Sequence, residues 1–273
     1  MKKVNENPAN PCAKFTQAAG FRPIPTKEGC QDMTQEKRRR IPLLDVLRGF
    51  SILLMILHHA GYDLVLLGVL PAWVLYNKAG TGMSLMMEIL HPVFAGTFVA
   101  LSGVSSRLSR SNVKRGLLML SVAVWITTVT VFAQIPILFG IIHFLAAATL
   151  LYAVLRPLLE RIPSRIQPFL FLALAVPCYL LLPVDLGRPW LFWMGLGVGP
   201  DSYDYFPLLK WFFIYLFGTW LGGLIVREKL PAWFYAFDIP ALSWVGRKSL
   251  VIYLVHQPVL FVLWWALERL GIL

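Results

Sequence analysis

The chain has 273 residues, of which 58% are hydrophobic and 14% charged, with a mean hydropathy of +0.66. This balance excludes an ordinary soluble domain and points to an integral membrane protein. A formal net charge of +11 would suggest nucleic acid in a soluble chain. Here Lys and Arg sit mainly in short links between apolar runs, so topology explains them and no nucleic acid is expected.

Residues 1–40 are polar, contain Pro and lack helical periodicity, and Lys2 and Lys3 are not followed by a signal-peptide core. They read as a disordered cytoplasmic tail ahead of a transmembrane domain over 41–273, with Met33 a second candidate for the translation start. Seven spans follow, at about 42–62 (running on toward 70), 84–106, 115–135, 138–158, 167–183, 206–226 and 247–267. The expected fold class is therefore an all-α polytopic bundle. The stretch Trp190 to Gly199 is apolar but short and Gly-rich, and reads as an interfacial or re-entrant turn. Charge alternates between the links. Lys37 to Arg40, Arg107 to Arg115, Arg156 to Arg165 and Arg227 to Lys248 mark cytoplasmic sides, whereas the opposite links carry Lys78, Arg188, Asp63, Asp185, Asp201 and Asp204. The N-terminus is thus placed in the cytoplasm. Cys12, Cys30 and Cys178 show neither metal spacing nor a disulfide framework, and no metal is predicted.

The first span, DVLRGFSILLMILHHAGYD, carries ionisable groups at both ends of an apolar helix. Asp45, Arg48, Ile52, Ile56, His59 and Asp63 recur at steps of three and four and share a face, while His58 is expected to face elsewhere. Arg48 and His59 are separated by roughly 16 Å of helical rise. Such a face suits a long anionic ligand at one end and chemistry at the other. Asp63, four residues after His59, is placed to reach one ring nitrogen and leave the other as a general base, with Gly61 between them as a possible bend. The opposing reading is an Asp63 that faces water.

All five histidines fall within or at the end of spans, where polar groups are costly unless they line a cavity or have a partner. In span two, Ser84, Glu88, His91, Ser102 and Ser106 are compatible with one seam, with Glu88 and His91 as acceptor-binding candidates or a structural ion pair. His143 in span four and Tyr253 and His256 in span seven are candidate cavity walls, against the alternative of imidazoles bonded to neighbouring helices. Arg107, Arg110, Lys114 and Arg115 fit both positive-inside bias and a phosphate-rich ligand. Nucleotide-binding P-loops, Rossmann glycines, nucleophile elbows and zinc-protease motifs are absent from the sequence.

The blocks RIPLLDVLRGFSILLMILHHAGYDL, FVALSGVSSRLSRSNVKRG, LFGIIHFLAAATLLYAVL, WFFIYLFGTWLGG and GRKSLVIYLVHQP resemble bacterial membrane proteins related to the catalytic domain of heparan-alpha-glucosaminide N-acetyltransferase, over about residues 41–267. The opening LDxLRG also resembles the wider membrane acyltransferases that acetylate surface polysaccharides. The resemblance implies transfer of an acyl group, acetyl or another, from cytoplasmic acyl-CoA to an amine or hydroxyl of a glycan or other envelope acceptor. It places the protein in the cytoplasmic (inner) membrane, among lipid, with homo-oligomerisation open. The pattern's histidine falls on His59, its basic segment on Arg107 to Arg115, and His256 matches a histidine of the heparan-related enzymes. Those enzymes carry a histidine proposed for acetyl transfer in the loop before the second span, and Asn77 to Ser84 hold none.

The expectations are accordingly His59 and Asp63 as catalytic groups and Arg48, Arg107, Arg110, Lys114 and Arg115 as the donor-binding set. Glu88, His91, His143, Tyr253 and His256 are expected to line the acceptor pocket. Two other classes fit the same intramembrane groups: a proton-coupled transporter or flippase, and a haem protein, which the lack of a spaced histidine pair on any helix disfavours.

Overall fold

A computed structural model describes residues 40–76 and 84–272, with residues 85–87 as backbone only. The expected tail apart from Arg40, and Lys78 in the first outer link, lie outside the described residues.

Among the described residues all regular structure is helical: α1 (Pro42–Leu66), α2 (Leu85–Leu108), α3 (Asn112–Phe132), α4 (Ile141–Leu159), α5 (Gln167–Leu181), α6 (Leu208–Val226), α7 (Ala232–Ala236), α8 (Pro240–Arg247) and α9 (Ser249–Arg269). Six of them, α1, α2 from Glu88, α3, α4, α6 and α9, are long and apolar enough to cross a membrane. The chain is a multi-pass helical membrane protein. The fifth expected span is the 15-residue α5, shorter than predicted because Pro183 forces Leu182 into an extended conformation and ends the helix. The Trp190 to Gly199 stretch forms a short 3-10 helix at Pro189–Met194, closed by Gly195 at φ +88°. Helix α8 was not expected: eight residues between two basic clusters give little sequence signal.

Local chemistry explains the helix starts. Pro42 opens α1, where a missing N–H costs nothing, and the Ser111 side chain accepts the Lys114 backbone N–H to cap α3. Helix α1 runs through Gly61 to Leu66 without ending there.

Lipid solvates Leu57, Phe132, Val154 and Phe169 as well as another helix would, so packing depends on close backbone approach. At the contact of α2 with α6, a Cβ on Gly103 would strike the Tyr215 carbonyl, and one on Gly218 would strike the Ala100 carbonyl. Gly49 of α1 and Gly246 of α8 repeat the arrangement, against the carbonyls of Leu242 and Asp45. Around the first contact Val99, Phe144 and Tyr215 are fully buried, forming the core between α2, α4 and α6.

The bundle has two chemically different ends. At one, Arg48 of α1 reaches Ser105 of α2, and Arg107 of α2 pairs with Glu160 just past α4. At the other, residues 201–207 lie along residues 136–141. Tyr203 N–H donates to the Pro136 carbonyl (3.1 Å), Phe206 N–H to that of Phe139 (2.8 Å), and Leu138 N–H to Ser202 Oγ (3.1 Å).

Substituting Gly218→Val is expected to destabilise the protein by about 1–3 kcal/mol, because the backbone of α2 cannot move away without opening the core. Gly61→Ala, whose added Cβ meets nothing within 4 Å, should leave stability unchanged or slightly raised. Thermal unfolding in detergent, followed by tryptophan fluorescence, checks both.

Candidate active site

Helix α1 carries the polar groups of both ends. At its far end His58, His59 and His91 line a cavity of about 180 Å³ that also includes Tyr253 and Asp204. The ring centroids of His58 and His91 are 5.7 Å apart, and those of His59 and His256 are 5.0 Å apart. The expectation that His58 faces elsewhere is therefore corrected. The cavity is walled by α1, α2, the start of α4, residues 203–206 and α9, so adjacent positions of α1 both reach it, His58 beside α2 and His59 beside α9. His91 is further held by the rings of Phe94, Phe206 and Trp211.

Asp63 is not placed as expected. Its buried carboxylate accepts Gln257 Nε2 on both oxygens and Trp264 Nε1, each at 3.0 Å, and among the described residues no hydrogen bond joins it to His59. Neutral donors on α9 captured this group, and sequence distance hid them. Behind His59 stands His256, which donates its Nδ1 hydrogen to the Tyr253 carbonyl at 2.6 Å. In the neutral ring that bond puts the lone pair on Nε2, which is buried with no hydrogen-bond partner among the described residues. His256 thus backs the cavity wall but does not line it, whereas Tyr253 does.

Two other acceptor candidates lie elsewhere. Glu88 is exposed and outside the cavity lining. His143 Nε2 pairs with Thr127 Oγ1 at 2.8 Å, and the same hydroxyl donates to the Ile137 carbonyl, so this imidazole ties α4 to the end of α3. It does not line the cavity.

Asp204 has no counterpart among the expected site residues. Its Oδ2 accepts the Ile141 N–H at 2.9 Å and the Tyr253 hydroxyl at 3.2 Å. Burial pushes this carboxyl above its ordinary range, with those two bonds opposing the shift. Its sequence signal is weak, because only the pairing of residues 201–207 with 136–141 carries it into the cavity.

The basic end divides the expected cluster into three. Arg115 turns inward, donating to Ser106 Oγ and Ser102 Oγ at 3.0 Å and to the Ser102 carbonyl at 3.4 Å. Ser106 shares a 2.5 Å hydrogen bond with Tyr215, which reaches Thr149. Arg48 pairs with Asp45 at 2.7 Å and lies close enough to Arg115 to repel it. Among the described residues Asp45 pairs with Arg48 alone, and Arg115 is held by neutral oxygens. Arg107 pairs instead with Glu160, which Arg156 also holds, and it borders a second cavity of about 400 Å³ with Arg161 and Arg227. Arg110 and Lys114 are exposed.

Residues 40–258 match the family described as heparan-alpha-glucosaminide N-acetyltransferase, catalytic. The chain belongs to that family. It is thus a multi-pass membrane protein of an acetyltransferase family, and the matched stretch covers both the histidine cavity and the inward arginines. Comparison with curated proteins and with solved structures gave no match. Among the described residues of this heparan-alpha-glucosaminide N-acetyltransferase relative, no group of three His, Cys, Asp or Glu is disposed to hold a metal ion.

Asp63→Ala strands the Gln257 and Trp264 donors and is expected to cost about 1–3 kcal/mol, with Asp63→Asn losing less. An unchanged melting temperature in Asp63→Ala would show that the carboxylate does not clamp α9. At Glu160 the paired arginines hold the carboxyl below its ordinary value. Its stabilisation is present above the ordinary glutamate range and fades as pH falls through the lowered value. Wild type and Glu160→Gln should then differ by no more than about 1 kcal/mol near neutrality and converge in strong acid, as read from melts across a pH series.

Proposed function

We propose that the protein is a transmembrane acyltransferase of the cytoplasmic (inner) membrane, moving an acetyl or other acyl group from cytoplasmic acyl-CoA to an amine or hydroxyl of a glycan or other envelope molecule. One observation carries the reading. Along α1, a histidine-lined cavity stands roughly 16 Å of helical rise from Arg48, beside which Arg115 turns inward with no carboxylate partner among the described residues. A buried cation without a full counter-charge favours an anionic ligand, and a histidine cluster in a cavity favours proton transfer.

With the basic end toward the cytoplasm, Arg48 and Arg115 bind the phosphates of the donor, and Arg107, Arg110 and Lys114 add attraction at the entrance. Acyl-CoA supplies a thioester carbonyl for attack. His59 takes the proton released as the acceptor nitrogen or oxygen bonds to that carbon and the C–S bond breaks. His58 and His91 close the cavity around the reacting groups, and His256, fixed by the Tyr253 carbonyl, backs His59. Asp63 acts from a distance, by holding α9 and with it His256 against α1.

A positioned general base contributes about 10²–10⁴-fold, so His59→Ala should lose at least about a hundredfold in acetyl transfer while still binding acetyl-CoA. Arg48→Ala should weaken that binding. Radiolabelled acetyl-CoA binding and CoA release by detergent-purified protein measure both effects. Folded protein that binds neither acetyl-CoA nor longer acyl-CoAs would refute the reading and favour a proton-coupled transporter built on the same cavity.

A further inference from the structure

The cavity contains a carboxylate that the acyl-transfer reading leaves without a task. The surrounding chain holds Asp204 closely. Gly140 stands opposite, where a Cβ would collide with the carboxylate, so this approach admits only glycine. The Ile141 N–H at the first turn of α4 and the Tyr253 hydroxyl both end on Oδ2. Ser202 fixes the same loop by donating to the Asp204 carbonyl at 2.6 Å. Two separate segments, residues 140–141 and α9, thus converge on one carboxyl, and both engage a single oxygen.

Oδ1 accepts no hydrogen bond among the described residues, although Asp204 lines the cavity together with His58, His59 and His91. A carboxylate oxygen with spare lone pairs beside a cavity is open to a donor on a ligand. The nearby lining is aromatic at Tyr203, Tyr205 and Phe206 and supplies flat apolar faces beside that one acceptor. A cavity of about 180 Å³ is of the size that holds a benzene-sized guest, about 150 Å³ in engineered cases. It therefore accommodates one ring-sized fragment.

We propose that Asp204 is the acceptor-recognition residue, and that its Oδ1 receives a second hydroxyl or amino hydrogen on the acceptor, adjacent to the nucleophile that faces the histidines. The proposal rests on the acyltransferase reading of the cavity and names the chemistry it selects: a ring-sized acceptor bearing two neighbouring hydrogen-bond donors. A purely capping role for Asp204 would require only Oδ2. Two neighbouring donors, one on Asp204 and one facing His59, also fix which atom is presented for acylation, since a fragment held by one contact would be free to rotate.

Asp204→Asn separates the two roles. The amide oxygen can still accept from Ile141 and Tyr253, while the second atom changes from acceptor to donor. The probes are trans-2-aminocyclohexanol, with two adjacent donors, and cyclohexylamine, with one. Binding of each to purified wild type and Asp204→Asn is followed by tryptophan fluorescence without donor, and acetyl-CoA binding is measured in parallel. Wild type should bind the amino alcohol at least about tenfold tighter than the amine. Asp204→Asn should lose that preference while keeping its melting temperature and its acetyl-CoA affinity. Equal discrimination in both proteins, or no saturable binding of the amino alcohol to wild type, overturns the assignment of Asp204. If the variant does not fold, Tyr205→Ala, which removes an aromatic face while leaving the carboxylate, should weaken both probes and retain the preference; loss of the preference there overturns the proposal. Absent acetyl-CoA binding alongside intact probe discrimination overturns the acyltransferase reading and leaves Asp204 as the recognition group of a different activity.

Discussion

The approach of α2 to α6 at Gly103 and Gly218 sets the positions of the buried polar chain at the basic end. Backbone contact at that point brings the Tyr215 hydroxyl against Ser106, and Ser106 then has its oxygen in place for Arg115. In an apolar surrounding each of these groups needs a partner inside the protein. A wider helix separation would leave a phenol, a serine and a guanidinium unpaired together. Packing and polar satisfaction are therefore one constraint here, and the glycines serve both.

Helix α1 depends on a second contact of the same kind. Gly49 and Gly246 let the short helix α8 lie on the backbone of α1 close to Arg48. At the opposite end, Asp63 ties α1 to α9 through Gln257 and Trp264. The one helix that carries both Arg48 and His59 is thus gripped at each end, which gives the distance between the two groups a fixed value. A transfer site that receives a long donor at one end and reacts at the other requires such a fixed spacing.

Much of the bundle was legible in the sequence, because crossing a bilayer demands long apolar runs and little else imitates them. The exceptions have specific causes. The apolar run of α5 continues into Leu182, but Pro183 ends the helix, so hydropathy overstated its length. Periodicity places Arg48 and His59 on one helix and does not show which neighbours surround them, so it points His58 away from a cavity that His58 in fact lines. Asp63 was assigned a local partner four residues away, whereas its donors are Gln257 and Trp264, far along the chain. Asp204 was read as one more acid in an outer loop. Its place in the cavity follows from backbone pairing between 201–207 and 136–141, which no local pattern announces.

The 15 residues of α5 span about 22 Å at ~1.5 Å per residue, against a hydrocarbon layer of about 30 Å. Phe169, Leu172, Val176 and Leu180 present an apolar face outward along its length. Lipid next to a short apolar helix draws thinner, at a fraction of a kcal/mol per ångström. Helix α5 packs against α6, and Tyr179 near its end meets Trp211, which in turn touches His91. Helix α5 is thus joined to the histidine cavity by two successive ring contacts, so any thinning of lipid around this short helix would fall on the flank nearest His91.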